Sequence, residues 1–266
     1  MSSNSDFRPA IPEGIKREVR KRCGFGCVIC GFPIYSYEHM LEWAEVKRHV
    51  ADEITLLCDR HHREKTSKLM PVAIVKRANE KPFNLNKNSS QPYDLYYEGE
   101  FVVGVLGGNS FMASLTHPPY TLHFITIDGV SLLNFVAEDG HILLNANLFD
   151  KEGRTILVIE NNSMVYSLDK WDISFVGRNL IIRQGNGDIA LDIVFEVPNK
   201  VRVNRAHFIF NGVEIEIYPD RVDLIPSYIS ISSTFGIMGN MGISIGKRIG
   251  NASAVIGIDE PVRHPE

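Results

Sequence analysis

Three short stretches decide how the N-terminal part of the chain folds: CVIC at residues 27–30, YEHM at 37–40 and ITLLCDRHHREK at 54–65. Two cysteines separated by two residues form a knuckle that can present both thiolates to one metal ion. Cys27 and Cys30 form such a pair, and Cys58 and His61 form a second pair at the start of a predicted helix. Because a structural zinc site needs four ligands in a tetrahedron, this spacing predicts a Cys3His zinc site.

Three residues of the same stretches are not needed by the zinc site: Glu38, His39 and His62. If zinc holds the strand that contains Glu38 and His39 against the helix that contains His62, the three side chains converge. A carboxylate and an imidazole together can hold a divalent cation, and a neighbouring imidazole can act as a base. The pattern therefore predicts a metal-dependent site that cleaves phosphodiester bonds.

These residues resemble the zinc-stapled HNH endonucleases, a family with the ββα-metal fold. The resemblance covers about residues 12–70 and depends on Glu38-His39, on Leu57-Cys58 and on the run CDRHHREK at 58–65. It implies that His39 is the general base and that Glu38 and His62 bind a catalytic Mg²⁺ or Mn²⁺. Where the family usually has asparagine, this sequence has Glu53. We interpret Glu53 as a brace for the adjacent loop, and the alternative is that it adds a carboxylate to the catalytic metal site.

Charge is unevenly distributed along the chain. Residues 1–88 contain 16 Lys/Arg and 11 Asp/Glu, a net charge of +5, whereas residues 89–266 contain 12 and 21, a net charge of −9. A basic N-terminal part followed by an acidic part is expected in a protein of which only the N-terminal part binds a polyanion. We therefore expect DNA, or alternatively RNA, as the partner of the N-terminal part. The candidate phosphate contacts are six basic residues: Lys65, Arg63, Lys47, Arg48, Arg20 and Arg22.

The sequence predicts an α+β ββα-metal domain at residues 1–81, a polar linker at 82–94 and an all-β domain at 95–266. Apolar residues alternate with polar ones in 189–197 and 213–218, and turn dipeptides such as Asp128-Gly129 and Asn211-Gly212 recur. This pattern is typical of short strands joined by tight turns. It is consistent with an antiparallel sandwich or barrel and with a β-solenoid, and it does not separate them.

The β-domain shows no catalytic motif. His123, His141 and His207 lie on predicted strands without a second ligand at metal spacing, so we interpret them as structural residues. Glu214 and Glu216 are interpreted as a solvent-facing stripe. The expected role of this domain is to select a target, to bind a protein partner or to form a homo-oligomer.

The composition of the chain indicates the cellular compartment in which the protein acts. No apolar run approaches the ~18 residues of a membrane-spanning helix, and the first ten residues lack the apolar segment of a signal peptide. We therefore expect a soluble cytoplasmic protein with no membrane partner. Four cysteines, three of them near paired histidines, favour a metal site in a reducing compartment over a disulfide framework.

Three functions are consistent with the sequence. The first is a metal-dependent DNA endonuclease whose β-domain directs it. The second is a zinc-stapled nucleic-acid-binding module without catalysis, for which Glu53 is the main indication. In the third, the main function belongs to the β-domain, which is a scaffold or a sensor, and the β-domain controls the nuclease.

Overall fold

A computed structural model describes residues 8–115, 120–166, 172–185, 187–237, 241–250 and 254–264. The chain divides into two compact units, which meet in sequence between Gln91 and Pro92. The elements described in the first unit are α1 (Glu13–Arg22), β1 (Ser36–His39), α2 (Trp43–Val46), a 3-10 turn (Ala51–Glu53), β2 (Ile54–Leu57), α3 (Asp59–Thr66), α4 (Val72–Glu80) and α5 (Phe83–Lys87).

The first unit contains the ββα arrangement expected from the sequence. β1 and β2 pair antiparallel, with Ser36 opposite Leu57 and His39 opposite Ile54. Cys58 has an extended backbone that ends β2 and begins α3 directly. Asp59 in the first turn of α3 has the charge that the positive end of the helix dipole favours. Residues at the end of β1 and on α3 are therefore neighbours.

A small apolar core supports this arrangement. Val19 of α1, Ile54 and Leu56 of β2 and Val75 of α4 are fully buried and belong to one cluster. The Cys27–Cys30 knuckle is fixed to the same core because the Val28 amide donates to the Leu56 carbonyl at 3.0 Å. The core thus joins the knuckle to β2, which leads into α3.

The structure differs from the predicted linker at residues 82–94. The segment up to Gln91 belongs to the first unit, and α5 lies within it. The Phe83 amide donates to the Val28 carbonyl at 3.0 Å, and the buried Asn84 side chain donates to the Gly24 carbonyl at 2.8 Å. A side chain at Gly31 would collide with Phe83 and Asn84, so this segment fills the space beside the knuckle. The polar composition of this segment therefore gave no indication that α5 is a packed helix.

The second unit is composed of strands. Its described strands are β3 (Leu95–Tyr96), β4 (Phe101–Leu106), β5 (Asn109–Ser114), β6 (Tyr120–Ile127), β7 (Val130–Glu138), β8 (His141–Phe149), β9 (Thr155–Glu160), β10 (Ser163–Tyr166), β11 (Asp172–Val176), β12 (Asn179–Arg183), β13 (Ile189–Glu196), β14 (Lys200–Phe210), β15 (Val213–Ile217), β16 (Val222–Ile225), β17 (Ile229–Ile231), β18 (Phe235–Ile237), β19 (Met241–Ile245) and β20 (Ala254–Ile258).

These strands form two sheets, each built around an antiparallel meander. The first sheet has the order β10-β9-β8-β7-β6-β19-β20, in which β19 is parallel to both β6 and β20, and β3 pairs with β8. The second sheet runs consecutively from β11 to β17, and β4 adds to it parallel to β14. β5 joins β4 antiparallel, and β18 joins β5 parallel. Consecutive hairpins of this kind are not the stacked coils of a β-solenoid.

The two sheets pack face to face through large apolar side chains. The Phe124 ring of β6 lies directly against the Gly104 backbone of β4, where any side chain at residue 104 would overlap the ring. The rings of Phe149 in β8 and Phe210 in β14 have centroids 5.0 Å apart. Every second residue of β8 is buried, which is the period that one buried sheet face requires. The strands therefore form a sandwich of two sheets that are antiparallel except where β4, β18 and β19 pair in parallel.

Tight turns occur at three dipeptides that the sequence indicates. Asp128-Gly129, Asp139-Gly140 and Asn211-Gly212 all have positive φ at both residues, as two-residue hairpin turns require. The predicted turn at residues 185–187 includes Asn186, which lies outside the described residues. Among the helices in the described part of the chain, none combines the length and the apolarity needed to cross a bilayer.

Candidate metal centres

The four predicted zinc ligands form one cluster. The ligand atoms of Cys27, Cys30, Cys58 and His61 all lie within 4.8 Å of one another. His61 Nδ1 is 3.3 Å from the Sγ atoms of both Cys27 and Cys58, and the Sγ atoms of Cys30 and Cys58 are 3.8 Å apart. A tetrahedral zinc ion places sulfur ligands about 3.8 Å apart and sulfur and nitrogen about 3.5 Å apart. The cluster can therefore hold one tetrahedral metal ion.

Burial of the cluster affects the ionisation of its thiols. A hydrogen bond with Cys30 and then burial raise the pKa of the Cys27 thiol to about 12, while the same hydrogen bond lowers the pKa of the Cys30 thiol. Burial likewise raises the pKa of the Cys58 thiol. Three thiolates in such a place require a compensating positive charge, which a divalent ion supplies. Cys23 lies outside this cluster, with its thiol near Thr55 and Asn79.

A second group forms where β1 ends beside α3. Glu38 Oε2 lies 2.9 Å from His62 Nε2, while Glu38 Oε1 accepts a hydrogen bond from Lys65 Nζ at 2.5 Å. This 2.9 Å contact is a hydrogen bond or ion pair, and a carboxylate and an imidazole that lie so close together can both reach one divalent ion. His62 is partly exposed, which leaves room for water or a substrate on the open side.

His39 follows Glu38 as the last residue of β1 and is 3% exposed. Arg8 Nη2 donates to its Nδ1 at 2.6 Å, and its Nε2 lies 3.3 Å from His49 Nδ1. His49 Nε2 in turn donates to the Pro9 carbonyl at 2.9 Å, so the network assigns the acceptor role to Nδ1 of His39. Burial and the Arg8 charge lower the pKa of His39, which keeps its imidazole neutral at neutral pH.

Glu53 lies at the end of the 3-10 turn, and the described contacts of its carboxylate are with Arg48 rather than with Glu38 or His62. Its carboxylate accepts two hydrogen bonds from the Arg48 guanidinium, from Nε at 3.1 Å and from Nη2. These bonds lower the pKa of Glu53. Its backbone carbonyl accepts the Met40 amide at 2.9 Å. Glu53 thus connects β1 to the loop that carries His49.

Three of the six predicted phosphate contacts are engaged inside the first unit. Lys65 Nζ bonds Glu38 and the His39 carbonyl, and its side chain is only 5% exposed. Arg20 is buried and bonds Tyr37 and Glu13.

Arg22 bonds Asn79 and the carbonyls of Ala51 and Ile54. A phosphate contact for Lys65, Arg20 or Arg22 is therefore not supported, because these side chains are largely buried and already bond other atoms of the first unit. Arg63, Lys47 and Arg48 are exposed, although Arg48 is paired with Glu53.

Three residues near His39 were not identified from the sequence as part of the site: Arg8, Trp43 and His49. The Trp43 ring stacks on His49 with centroids 4.8 Å apart, and the Arg8 guanidinium lies 5.3 Å from the Trp43 centroid. The basic run at residues 47–49 is a weak signal for His49. Arg8 has no local signal, because it is 31 residues from His39 in the chain and only tertiary structure brings them together.

No protein-family model, no curated protein and no solved structure matches this chain.

Proposed function

We propose that the chain is a metal-dependent endonuclease of the HNH type that hydrolyses phosphodiester bonds of DNA. The observation that supports this most is the contact between Glu38 and His62, with His39 next to Glu38 at the end of β1 and the Cys3His cluster at the start of the helix that contains His62. We further propose that the Cys3His cluster holds structural zinc. A unit of about 90 residues with a small core gains much of its stability from such an ion.

In this proposal, His39 is the general base. Its neutral imidazole accepts a proton at Nδ1 from the water that attacks phosphorus, and the 3′ oxygen leaves. Arg8 occupies Nδ1 here, so its guanidinium has to move before the base can act. The phosphate group of a bound nucleic acid is an anion with which this guanidinium can pair.

Glu38 and His62 are the residues that would hold the catalytic Mg²⁺ or Mn²⁺. That ion, when bound, stabilises the negative charge that develops on the leaving oxygen. Lys65 acts on the pair through Glu38: its ammonium group fixes Oε1 and thereby turns Oε2 towards His62. Lys65 is therefore a positioning residue in this proposal.

The binding surface for nucleic acid is assigned to the first unit, because that part of the sequence has the positive net charge. Arg63, which follows His62 in the chain, and Lys47 are exposed and are the candidate phosphate contacts. The second unit, with its net negative charge, is proposed to select the target or to bind a protein partner or a second copy. We also propose that the protein acts in the cytoplasm.

Glu53 is proposed to brace the loop rather than to bind the metal. Because Arg48 engages its carboxylate, we expect Glu53→Gln to leave the Mg²⁺ concentration for half-maximal cleavage within about threefold of wild type. The rate at saturating Mg²⁺ should fall modestly. Titrating Mg²⁺ against the cleavage rate measures both quantities, with Glu38→Gln as the comparison that removes a proposed ligand. A large rise in the required Mg²⁺ for Glu53→Gln, with the maximal rate kept, would make Glu53 a ligand instead.

A nucleic-acid-binding module without catalysis is the second candidate. The observation that favours it is the burial of His39 under Arg8 and His49. The experiment that separates the two candidates is incubation of the full chain with circular DNA in Mg²⁺ or Mn²⁺, with DNA binding measured on the same preparation. Cleavage supports the endonuclease, and binding without cleavage supports the module.

A further inference from the structure

A polar cluster lies on the outer face of the second sheet, where β14 and β15 form a hairpin. Val213, Ile215 and Ile217 of β15 are buried, so Glu214 and Glu216 point to the opposite face. The register of the hairpin places His207 of β14 directly opposite Glu216. His207 and Glu216, which lie on different strands, are therefore neighbours in the sheet.

Three ligand atoms converge in this cluster. One side-chain atom each from His207, Glu214 and Glu216 lies within 4.8 Å of the others, and His207 Nε2 is 2.6 Å from Glu214 Oε1. Glu214 is only 9% exposed. His207 and Glu214 share a hydrogen bond at 2.6 Å, and a divalent ion would take the place of the shared proton.

The second oxygen of each carboxylate is held by another side chain. His264 Nε2 lies 2.9 Å from Glu214 Oε2, and the Tyr218 hydroxyl donates to Glu216 Oε2 at 2.5 Å. In metal sites, a carboxylate ligand is commonly oriented by a hydrogen bond from another side chain to the oxygen that does not bind the metal. Both carboxylates of the cluster share this feature.

His264 reaches the cluster because the C-terminal segment is anchored to the hairpin turn. The His264 amide donates to the Gly212 carbonyl at 2.8 Å, and Arg263 donates to the Asn211 carbonyl at 2.6 Å and pairs with Asp128 at 2.9 Å. A side chain at Gly212 would come within 3.1 Å of Arg263, so the close approach depends on glycine. The anchoring gives His264 a defined position beside Glu214.

We propose that His207, Glu214 and Glu216 bind a divalent transition-metal ion, with His264 and Tyr218 as positioning residues. Mixed imidazole and carboxylate ligands suit Zn²⁺ and Mn²⁺. A divalent ion also offsets the charge of two neighbouring carboxylates, of which Glu214 is nearly buried. His207 and Glu216 line one surface depression together with Arg205, and Glu214 and His264 line another together with Lys151, so the cluster can be reached from the surface on both sides. The proposal is independent of the endonuclease, whose residues all lie in the first unit.

The test is calorimetric titration of Zn²⁺ into the full chain after the Cys3His cluster has been loaded with zinc. The chain carries Glu38→Gln and His62→Gln so that the proposed catalytic pair does not bind the added ion. We expect one further binding event per chain. Adding Glu214→Gln should remove the event, and adding His264→Gln or Tyr218→Phe should weaken the affinity about 10–100-fold, the usual effect of losing an outer partner.

The matched control is Glu138→Gln with His141→Gln. This is a second Glu–His pair in cross-strand register, at β7 and β8 of the other sheet. It should leave the binding event unchanged. The proposal is overturned if no event follows the loading of the Cys3His cluster, or if Glu214→Gln and His264→Gln bind Zn²⁺ as tightly as the parent chain. Loss of the event in the Glu138→Gln/His141→Gln control would also overturn it.

Discussion

Replacing His39 by alanine is expected to reduce DNA cleavage by a factor of about 10²–10⁴ while zinc content and DNA affinity stay close to wild type. The size of the loss follows from the usual contribution of a positioned general base. The fold should persist because the ring of His39 contacts mainly Trp43, His49 and Arg8, which are half-buried or exposed and lie outside the apolar core. Single-turnover cleavage of a labelled duplex gives the rate, and fluorescence anisotropy gives the affinity.

His141→Ala is the control for this experiment, since His141 is a half-buried histidine of the second unit. Its cleavage rate should equal that of wild type. A His39→Ala protein that keeps more than about a tenth of the wild-type rate would remove His39 from the role of base.

The second large effect concerns Cys27. Cys27→Ala removes a ligand of the Cys3His cluster, and the first unit is expected to lose its bound zinc and to unfold while the second unit stays folded. Structural zinc contributes about 10–16 kcal/mol of apparent binding free energy in small zinc domains, far more than a small core can replace. Elemental analysis measures zinc, and amide hydrogen exchange measures protection in each unit separately.

Cys23→Ala is the matched control, because Cys23 and Cys27 are both fully buried but only Cys27 belongs to the cluster. Cys23→Ala should cost about 1–3 kcal/mol and keep one zinc per chain, as an ordinary core substitution does. If Cys27→Ala retained a folded first unit without zinc, the ion would not be structural.

The sequence was most informative where local geometry determines the arrangement. The Cys27–Cys30 and Cys58–His61 spacings predicted the cluster, because a two-residue separation already places two ligands side by side. The dipeptide Asn211-Gly212 predicted a hairpin turn, because its backbone conformation is one that few residues adopt. Both features depend on a few neighbouring residues.

Features that depend on distant contacts were not predictable in this way. Helix α5 was taken for a linker, because its packing beside Gly31 is visible only in three dimensions. Lys65 was predicted to contact a phosphate, and its burial follows from the positions of Glu38 and the His39 carbonyl on another element. His207 and Glu216 are paired by strand register, which alternation alone does not determine.

The measurement that tests the account most directly is the fate of supercoiled plasmid incubated with the zinc-loaded full chain in Mn²⁺. The account predicts nicked or linear DNA, ends with 5′-phosphate and 3′-hydroxyl groups that a ligase can rejoin, and no product when Mn²⁺ is omitted. Each of Glu38→Gln and His62→Gln should abolish the product. Plasmid that stays supercoiled in Mg²⁺ and in Mn²⁺, although the same protein contains zinc and binds the DNA, would contradict the account.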